Sequence, residues 1–270
     1  WRVERTGDRV RLAGKADRDP LALSDEAKRG VTRTRGKAHA ATRQASPARA
    51  PESIVIVGAG AAGNASAEML RRLGYAGRMT MLDAEQDSPY DRPNLSKDYL
   101  AGNAPEEWIP LRPPGFHAEH GIDVVHNVQV SALDLPKREV QLADGRAYPF
   151  DRLLLATGAE PVRLSLPGGD RAHVHYLRSL ADSRAIIAKA KQSKRAVVIG
   201  ASFIGLEVAA SLRKREIEVH VVAPEKLPLE RVMGTALATF VKALHEEHGV
   251  VFHLEDTATG IGDGDVTLKS

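Results

Sequence analysis

Cysteine is absent from this sequence of 270 residues. Its absence excludes disulfide bonds, thiolate metal sites and iron–sulfur clusters held by cysteine within these residues. The ten histidines form no group with a third ligand nearby, so we expect no metal site. A run of about 18 consecutive apolar residues is also missing, so we expect no membrane span. We expect a cytoplasmic protein.

Acidic residues are missing from residues 27–50, which contain seven lysines and arginines. The formal net charge of +3 therefore belongs to this segment, and the rest of the chain is net negative. Few large apolar side chains occur in residues 15–52, so we predict a disordered basic linker there. Basic arms of this kind can also bind nucleic acids, but no aromatic residue interleaves with the charges to stack on bases. Nucleic-acid binding is therefore the less favoured interpretation.

A glycine motif between two apolar runs organises the rest of the sequence. The run Ile54–Val57 has the length and β-branched content of a buried parallel strand. A helix is expected from Asn64 to Leu73, and a second strand from Met79 to Leu82. The acidic residue Glu85 follows about 20 residues after the motif. The motif itself consists of Gly58, Ala59, Gly60, Ala61, Ala62 and Gly63.

This order of strand, glycine loop, helix, strand and acid predicts a dinucleotide-binding βαβ unit. Gly58 would allow the tight turn, Gly60 the approach of a pyrophosphate, and Gly63 the close packing of the helix on the strand. The phosphates would lie on unpaired N–H groups at the start of the helix. Glu85 would accept hydrogen bonds from ribose hydroxyls, although Asp83 competes with it for that role.

The same pattern recurs in the second half of the chain. The run Ala196–Ile199 predicts a strand, followed by a helix from Leu206 to about Lys214 and a strand from Val219 to Val222. Glu225 occupies the acidic position. The second loop consists of Gly200, Ala201, Ser202, Phe203, Ile204 and Gly205, where a small serine replaces the middle glycine and could donate to a phosphate. Two such units predict two nucleotides, most economically a flavin and a nicotinamide cofactor that exchange a hydride.

Shorter patterns complete the predicted organisation. Alternation in residues 1–14 predicts a hairpin, which we interpret as the remnant of an upstream domain. Short strands between Ile122 and Ala156 predict a small antiparallel meander. Helices are expected over Leu180–Lys191 and Ala236–Leu244, and a strand at Val266 has no partner after it. The predicted fold is α/β, with two Rossmann-like dinucleotide-binding units (residues 53–164 and 165–270) and a small antiparallel β-meander, incomplete at both ends.

A proline-containing loop follows the first acidic position. Its sequence is Pro89-Tyr90-Asp91-Arg92-Pro93-Asn94-Leu95-Ser96-Lys97. One interpretation is a rigid surface loop fixed by its two prolines. The other places Arg92 on a phosphate and Lys97 beside a flavin ring, where a cation stabilises the negative charge of the reduced flavin.

These motifs together resemble a known family. The first glycine loop, the Pro89–Lys97 run, the strand end Ala156-Thr157-Gly158 and the second glycine loop occur in the order of flavin-dependent pyridine nucleotide reductases. Over residues 53–270 the sequence resembles the FAD-dependent pyridine nucleotide-disulfide oxidoreductase family, in its ferredoxin reductase and apoptosis-inducing-factor-like branch. Residues 1–14 resemble the end of a Rieske [2Fe–2S] domain, on a much shorter match. Flavoenzymes of this kind that pass electrons to a paired cysteine are excluded by the lack of cysteine after the first motif.

The resemblance implies FAD on the first unit and NAD on the second. The implied catalytic residues are Lys97, beside the flavin, and Glu207, near the nicotinamide. Further implied FAD contacts are Gly58, Ala59, Gly60, Ala61, Ala62, Gly63, Glu85, Arg92, Val130, Thr157, Gly158 and Arg178. The implied NAD contacts are Gly200, Ala201, Ser202, Phe203, Ile204, Gly205, Glu225 and Arg231.

We therefore expect an NAD(P)H-dependent flavoprotein reductase that passes electrons from NADH through FAD to an iron–sulfur acceptor, either a ferredoxin or a fused Rieske domain. The carboxylate of Glu225 should repel a 2′-phosphate, which favours NADH over NADPH. The resemblance also implies a later Gly-Asp segment and an interface domain that are not among these residues, so residues 1–270 alone should be inactive. The alternative is a non-catalytic nucleotide-sensing protein whose basic linker contacts nucleic acid.

Overall fold

The computed structural model describes residues 3–6, 9–12 and 50–270. Two strands, β1 (Val3–Thr6) and β2 (Arg9–Leu12), pair antiparallel as the predicted hairpin requires. The assignment of this hairpin to an upstream domain stays a prediction. The predicted linker lies outside the described residues, apart from residues 50–52.

A four-stranded parallel sheet forms the centre of the first unit. Strand β3 (Ser53–Val57) lies between β4 (Arg78–Leu82) and β9 (Arg152–Leu155), and β5 (Asp123–Val125) pairs with β4 at the edge. Helix α1 (Ala61–Arg72) connects β3 to β4 and begins three residues before the predicted start. Every residue of β3 is buried, because a central parallel strand has neighbours on both edges and both faces.

The antiparallel meander is smaller than predicted. It contains β6 (Val130–Asp134), β7 (Glu139–Leu142) and β8 (Ala147–Pro149), which pair in sequence order. The prediction that the meander begins at Ile122 was wrong, because β5 joins the parallel sheet instead. A strand of three residues carries too little sequence pattern to reveal its partner, so tertiary pairing decides where it goes.

Four short helices connect β4 to β5. They are a 3₁₀ helix at Arg92–Ser96, α2 at Asp98–Ala101, a second 3₁₀ helix at Glu106–Trp108 and α3 at Phe116–Glu119. The first of them begins with a proline in its first turn, where the missing N–H costs nothing. The loop predicted from Arg92 to Lys97 is therefore helical from Arg92 to Ser96, and Lys97 connects this turn to α2.

A three-stranded parallel sheet forms the second unit. Its strand order is β10 (Arg195–Ile199), β11 (Glu218–Ala223) and β12 (Val250–Leu254). Helix α4 (Leu180–Ala190) precedes the sheet, and α5 (Phe203–Lys214) connects β10 to β11. Helix α5 begins three residues before the predicted start, directly after the second glycine loop.

Helix α6 (Glu230–Glu247) connects β11 to β12 and begins earlier than predicted. Gly234 interrupts it with φ 76° and ψ 164°, a conformation that glycine adopts without strain. The last strand, β14 (Val266–Leu268), pairs antiparallel with β13 (Ala258–Ile261). Its partner therefore precedes it in the chain.

Each unit has its own apolar core, and a further cluster lies between them. Ile56 and Met81 are fully buried in the first unit, and Val219 and Val221 are fully buried in the second. The shared cluster brings α4 against the loop after β4 and contains Tyr90, Leu95, Tyr99, Ile109 and Leu180. Among the described residues, no helix has the length and apolar character needed to cross a membrane.

Candidate functional site: two glycine loops and the polar contact between them

In the first glycine loop, two glycines pack directly against backbone atoms, and the third has open space beside it. A Cβ atom on Gly58 would lie less than 3.0 Å from the carbonyl oxygen of Ala156, and Gly58 has φ +101°. A Cβ on Gly63 would also lie less than 3.0 Å from a backbone atom, the carbonyl oxygen of Gly58. At Gly60, by contrast, an added Cβ would meet no described atom nearer than Nη2 of Arg92, at 4.0 Å. The loop is thus tightly packed at Gly58 and Gly63 and accessible at Gly60, which suits a ligand that approaches the backbone.

Helix α1 starts immediately after this loop and has no side-chain cap at Gly60. Its first turn contains no acidic residue, and the side chains of Ala61 and Ala62 are exposed. The first N–H groups of a helix lack intrahelical partners, and the helix dipole favours negative charge there. The start of α1 therefore has the chemistry that a pyrophosphate requires, and binding at this place stays a prediction.

One guanidinium group lies near the first loop, and a second lies near the carboxyl end of β9. Arg92 donates from Nη1 to the carbonyl oxygen of Arg178, and its guanidinium stacks over the ring of Tyr90. The Nη2 atom of Arg178 lies 3.0 Å from the position of a Cβ on Gly158. The structure thus brings the predicted residues Gly60, Arg92, Gly158 and Arg178 together, although they come from four separate stretches of sequence.

Two neighbouring side chains form hydrogen bonds with the acid that is predicted to bind ribose. Glu85 accepts from Nη2 of Arg92 at 2.8 Å and from the hydroxyl of Tyr90 at 2.5 Å. Its competitor Asp83 is more deeply buried, with side-chain exposure of 13% against 29% for Glu85. Burial raises the pKa of Asp83, which also accepts from the backbone N–H of Glu85. Of the two acids, Glu85 has the more exposed side chain.

The remaining predicted FAD contacts lie at the carboxyl end of β9 and in the meander. Thr157 and Gly158 are exposed directly after β9, and Gly158 has φ +72°. Val130 is half-buried at the start of β6 and packs with Val128 and Leu142. Its side chain therefore belongs mainly to the core, so a contact with a nucleotide would come from its exposed part.

The second glycine loop repeats the first with one difference. Gly200 has φ +108° and a Cβ on Gly205 would lie less than 3.0 Å from the carbonyl oxygen of Gly200. Helix α5 begins after Ser202, whose side chain makes no capping hydrogen bond. Phe203 and Ile204 are 46% and 54% exposed, and the first turn of α5 contains no acidic residue. This loop, in which Ala201 is buried, also fits a pyrophosphate.

Glu225 and Arg231 lie beyond the carboxyl end of β11. Arg231 Nη2 is 3.5 Å from Oε1 of Glu225, with side chains 86% and 35% exposed. The backbone N–H of Glu255, after β12, donates to the carbonyl oxygen of Glu225. The acid is thus anchored through its backbone, and its carboxylate faces solvent beside a freely exposed cation.

A polar contact joins the two units at the predicted catalytic residues. Lys97 Nζ lies 2.9 Å from Oε1 of Glu207, which projects from α5. The hydroxyl of Ser96 donates to the other carboxylate oxygen of Glu207 at 2.6 Å. The hydroxyl of Ser211, one turn further along α5, donates to the carbonyl oxygen of Ser96 at 2.7 Å. Sequence reasoning named Lys97 and Glu207 but missed both serines, since serine is common at helix ends and gives no distinct signal.

Two further contacts between the units were also missed. The hydroxyl of Tyr90 accepts from the backbone N–H of Leu180 at 3.0 Å, and burial raises the pKa of Tyr90. Arg184 of α4 bonds to Asp87 and to Glu106, and the hydrogen bond from Arg184 lowers the pKa of Glu106. The only signal for these contacts in the sequence is the position of Tyr90 inside the Pro89–Lys97 run.

Two backbone loops that suit pyrophosphates, joined through a lysine–glutamate pair, define a protein with two dinucleotide-binding units. Residues 52–270 match the family described as pyridine nucleotide-disulphide oxidoreductase, and this chain belongs to that family. Members of the family use FAD and NAD(H). The resemblance of residues 53–270 to this family is thereby confirmed, whereas that of residues 1–14 to a Rieske domain stays a prediction.

Curated relatives are electron-transfer reductases. Rhodocoxin reductase of Rhodococcus erythropolis is 38% identical over 209 residues, which cover 77% of this chain and 48% of that protein. The ferredoxin–NAD(+) reductase component of the biphenyl dioxygenase system of Paraburkholderia xenovorans (strain LB400) is 40% identical over 199 residues, covering 74% and 48%. The covalent putidaredoxin reductase–putidaredoxin complex superposes with a TM-score of 0.76 and 34% identity, covering 82% of this chain and 55% of that chain. The chain spans about half the length of the curated relatives it matches.

Proposed function

We propose that this chain provides the nucleotide-binding units of an FAD-dependent NADH reductase that delivers electrons to an iron–sulfur protein. The observation that carries the proposal is the contact between Lys97 and Glu207 at 2.9 Å. It connects the loop of the first unit to the helix that begins at the second glycine loop. A flavin and a nicotinamide bound to the two units would therefore meet near this pair.

Different residues of the chain would bind the pyrophosphates and the riboses of the two nucleotides. The starts of α1 and α5 would hold the two pyrophosphates, with Arg92 and Arg178 supplying positive charge at the first. Glu85 and Glu225 would accept from the ribose hydroxyls. Bound FAD would supply hydride acceptance and one-electron release, which transfer from NADH to an iron–sulfur centre requires.

Lys97 would act on the charge that develops during reduction. Its ammonium group is held beside the junction of the two units, where a cation stabilises negative charge on a reduced flavin. Glu207 balances this cation and lies on the side of the second unit. We place the domains at residues 53–164 for FAD and 165–270 for NAD, and the protein in the cytoplasm. The names of the relatives support a ferredoxin or rubredoxin as the type of partner.

Anaerobic stopped-flow with the full-length FAD-loaded protein tests this function. Addition of NADH should bleach the flavin absorption band, and later addition of a [2Fe–2S] ferredoxin or a rubredoxin should restore it as the acceptor is reduced. Binding of NADH without bleaching would instead support the nucleotide-sensing alternative. Bleaching without electron transfer to any iron–sulfur protein would contradict the proposed partner class.

A glycine pair in the second unit provides a matched control. Gly205→Val places a side chain against the carbonyl oxygen of Gly200, so reduction by NADH should be lost while bound FAD is retained. At Gly264 no described atom lies within 4 Å of an added Cβ. Gly264→Val should therefore leave the rate of flavin reduction unchanged within about twofold.

A further inference from the structure

Helix α5 carries a row of polar side chains that faces the first unit. Glu207 and Ser211 lie in α5, and Arg215 directly follows its last residue; the intervals of four residues place all three on one face. Each bonds to the segment Ser96–Leu100: Glu207 to the Ser96 hydroxyl and Lys97, Ser211 to the carbonyl oxygens of Ser96 and Lys97, and Arg215 to that of Leu100. These bonds hold α5 of the second unit against the segment of the first unit that carries Lys97.

The two oxygens of the Glu207 carboxylate have different partners. Oε1 lies 2.9 Å from the ammonium of Lys97, and Oε2 accepts from the hydroxyl of Ser96 at 2.6 Å. The Ser96 hydroxyl also lies 3.2 Å from the carbonyl oxygen of Pro93. A hydroxyl has one proton to donate, and the charged and nearer carboxylate receives it. Lys97 in turn donates to the carbonyl oxygen of Pro93 at 3.2 Å.

The ion pair alone does not fix this geometry. The side chain of Lys97 is 48% exposed and that of Glu207 29%, and partly exposed ion pairs hold their partners weakly. Ser96 is 5% exposed and its backbone is anchored by Ser211, which is equally buried. The hydroxyl of Ser96 is therefore the rigid partner of the carboxylate.

We propose that Ser96 is a positioning residue, whose hydroxyl orients the Glu207 carboxylate so that its other oxygen holds Lys97 at the junction of the two units. This inference rests on the function proposed above. Ser96 does not touch the reacting groups in this proposal; it acts through Glu207. Ser211 has the separate task of holding the backbone of the loop.

A double-mutant cycle in the full-length FAD-loaded protein tests the proposal. Ser96→Ala should lower the limiting rate of flavin reduction at saturating NADH by about 10- to 100-fold, as misplacement of a catalytic group does. The dissociation constant of NADH from the same titration should change less than about threefold. When Glu207→Ala is already present, adding Ser96→Ala should lower the rate by less than about twofold, because the group that Ser96 positions is gone.

Unfolding in urea gives a second readout that does not depend on activity. Ser96→Ala and Glu207→Ala should be non-additive, with coupling of at least about threefold in the unfolding equilibrium constant. Ser193→Ala removes an exposed hydroxyl that donates to the carbonyl oxygen of Lys189, and should leave the limiting rate unchanged. Additive effects in both cycles would overturn the proposal. A protein whose flavin NADH does not reduce would refute the proposed function, whereas the unfolding cycle would still decide whether Ser96 acts on Glu207.

Discussion

The backbone N–H of Leu180, at the start of α4, donates to the phenolic oxygen of Tyr90 at 3.0 Å. The same hydroxyl donates to Oε2 of Glu85 at 2.5 Å, so one side chain connects the acid of the first unit to the first helix of the second. Both Tyr90 and Leu180 are buried in the cluster between the units. The relative placement of the two units is therefore tied to the carboxylate proposed to bind the FAD ribose.

Tyr90→Phe should lower the free energy of unfolding by about 1–3 kcal/mol. It removes the acceptor of a buried N–H group, and a buried donor left unsatisfied costs about that much. Urea unfolding monitored by circular dichroism provides the measurement. Tyr148→Phe is the matched control, because the Tyr148 hydroxyl accepts a long hydrogen bond of 3.5 Å from the exposed side chain of Arg146. Equal effects of the two substitutions would contradict the role given to Tyr90.

Lys97→Ala in the full-length FAD-loaded protein should slow reduction of the flavin by NADH by about 10- to 1000-fold. Removing one preorganised charge at a reacting centre has effects of this order. Stopped-flow bleaching of the flavin band measures the rate, and Lys189→Ala on the exposed side of α4 serves as the control. An unchanged rate in Lys97→Ala would mean that Lys97 only fixes its loop to Glu207.

Wild-type protein should prefer NADH to NADPH, and Glu225→Ala should weaken that preference by about tenfold, or about 1.4 kcal/mol. The carboxylate of Glu225 is accessible at the carboxyl end of β11 and would repel a 2′-phosphate. Arg231 and Lys226 act in the opposite direction, since either cation could meet that phosphate. The ratio of kcat/KM for the two cofactors decides the matter. A wild-type preference for NADPH would show that these cations, and not Glu225, determine specificity.

Folding stability should fall as the pH falls from about 7 toward 5, partly because of His117. Burial lowers the pKa of His117 below its usual 6.5, and its Nε2 lies 2.7 Å from Oδ1 of Asn64. The unfolded chain therefore takes up the proton at a higher pH than the folded chain. The stabilisation is complete above the unfolded pKa and is lost as the pH falls through the folded value.

His117→Gln should make the dependence of the free energy of unfolding on pH shallower between pH 7 and 5. Urea unfolding at several pH values measures this slope for both proteins. Burial also lowers the pKa of His175, so part of the slope should remain in the variant. Identical slopes in wild type and His117→Gln would refute the contribution of His117.

The local sequence determined both glycine loops and the strands before them. The sharp turns at Gly58 and Gly200 need a positive φ, and Gly63 and Gly205 pack against a carbonyl oxygen, so these positions cannot carry another side chain without strain. Such requirements can be recognised in a sequence from single residues and their spacing. The two nucleotide-binding units and the family could therefore be predicted from the order of these residues along the chain.

Only the tertiary structure decided which distant groups meet. β5 joins the parallel sheet because β4 offers it a free edge, which its three residues could not reveal. Glu85 is held by Arg92 and Tyr90, and Glu207 by Ser96 across 111 positions of sequence. A hydrogen bond depends on distance in space, and serine and tyrosine show no sequence period that marks such a partner. The glycine loops were thus set by the sequence, and the polar contact between the two units was set by their packing.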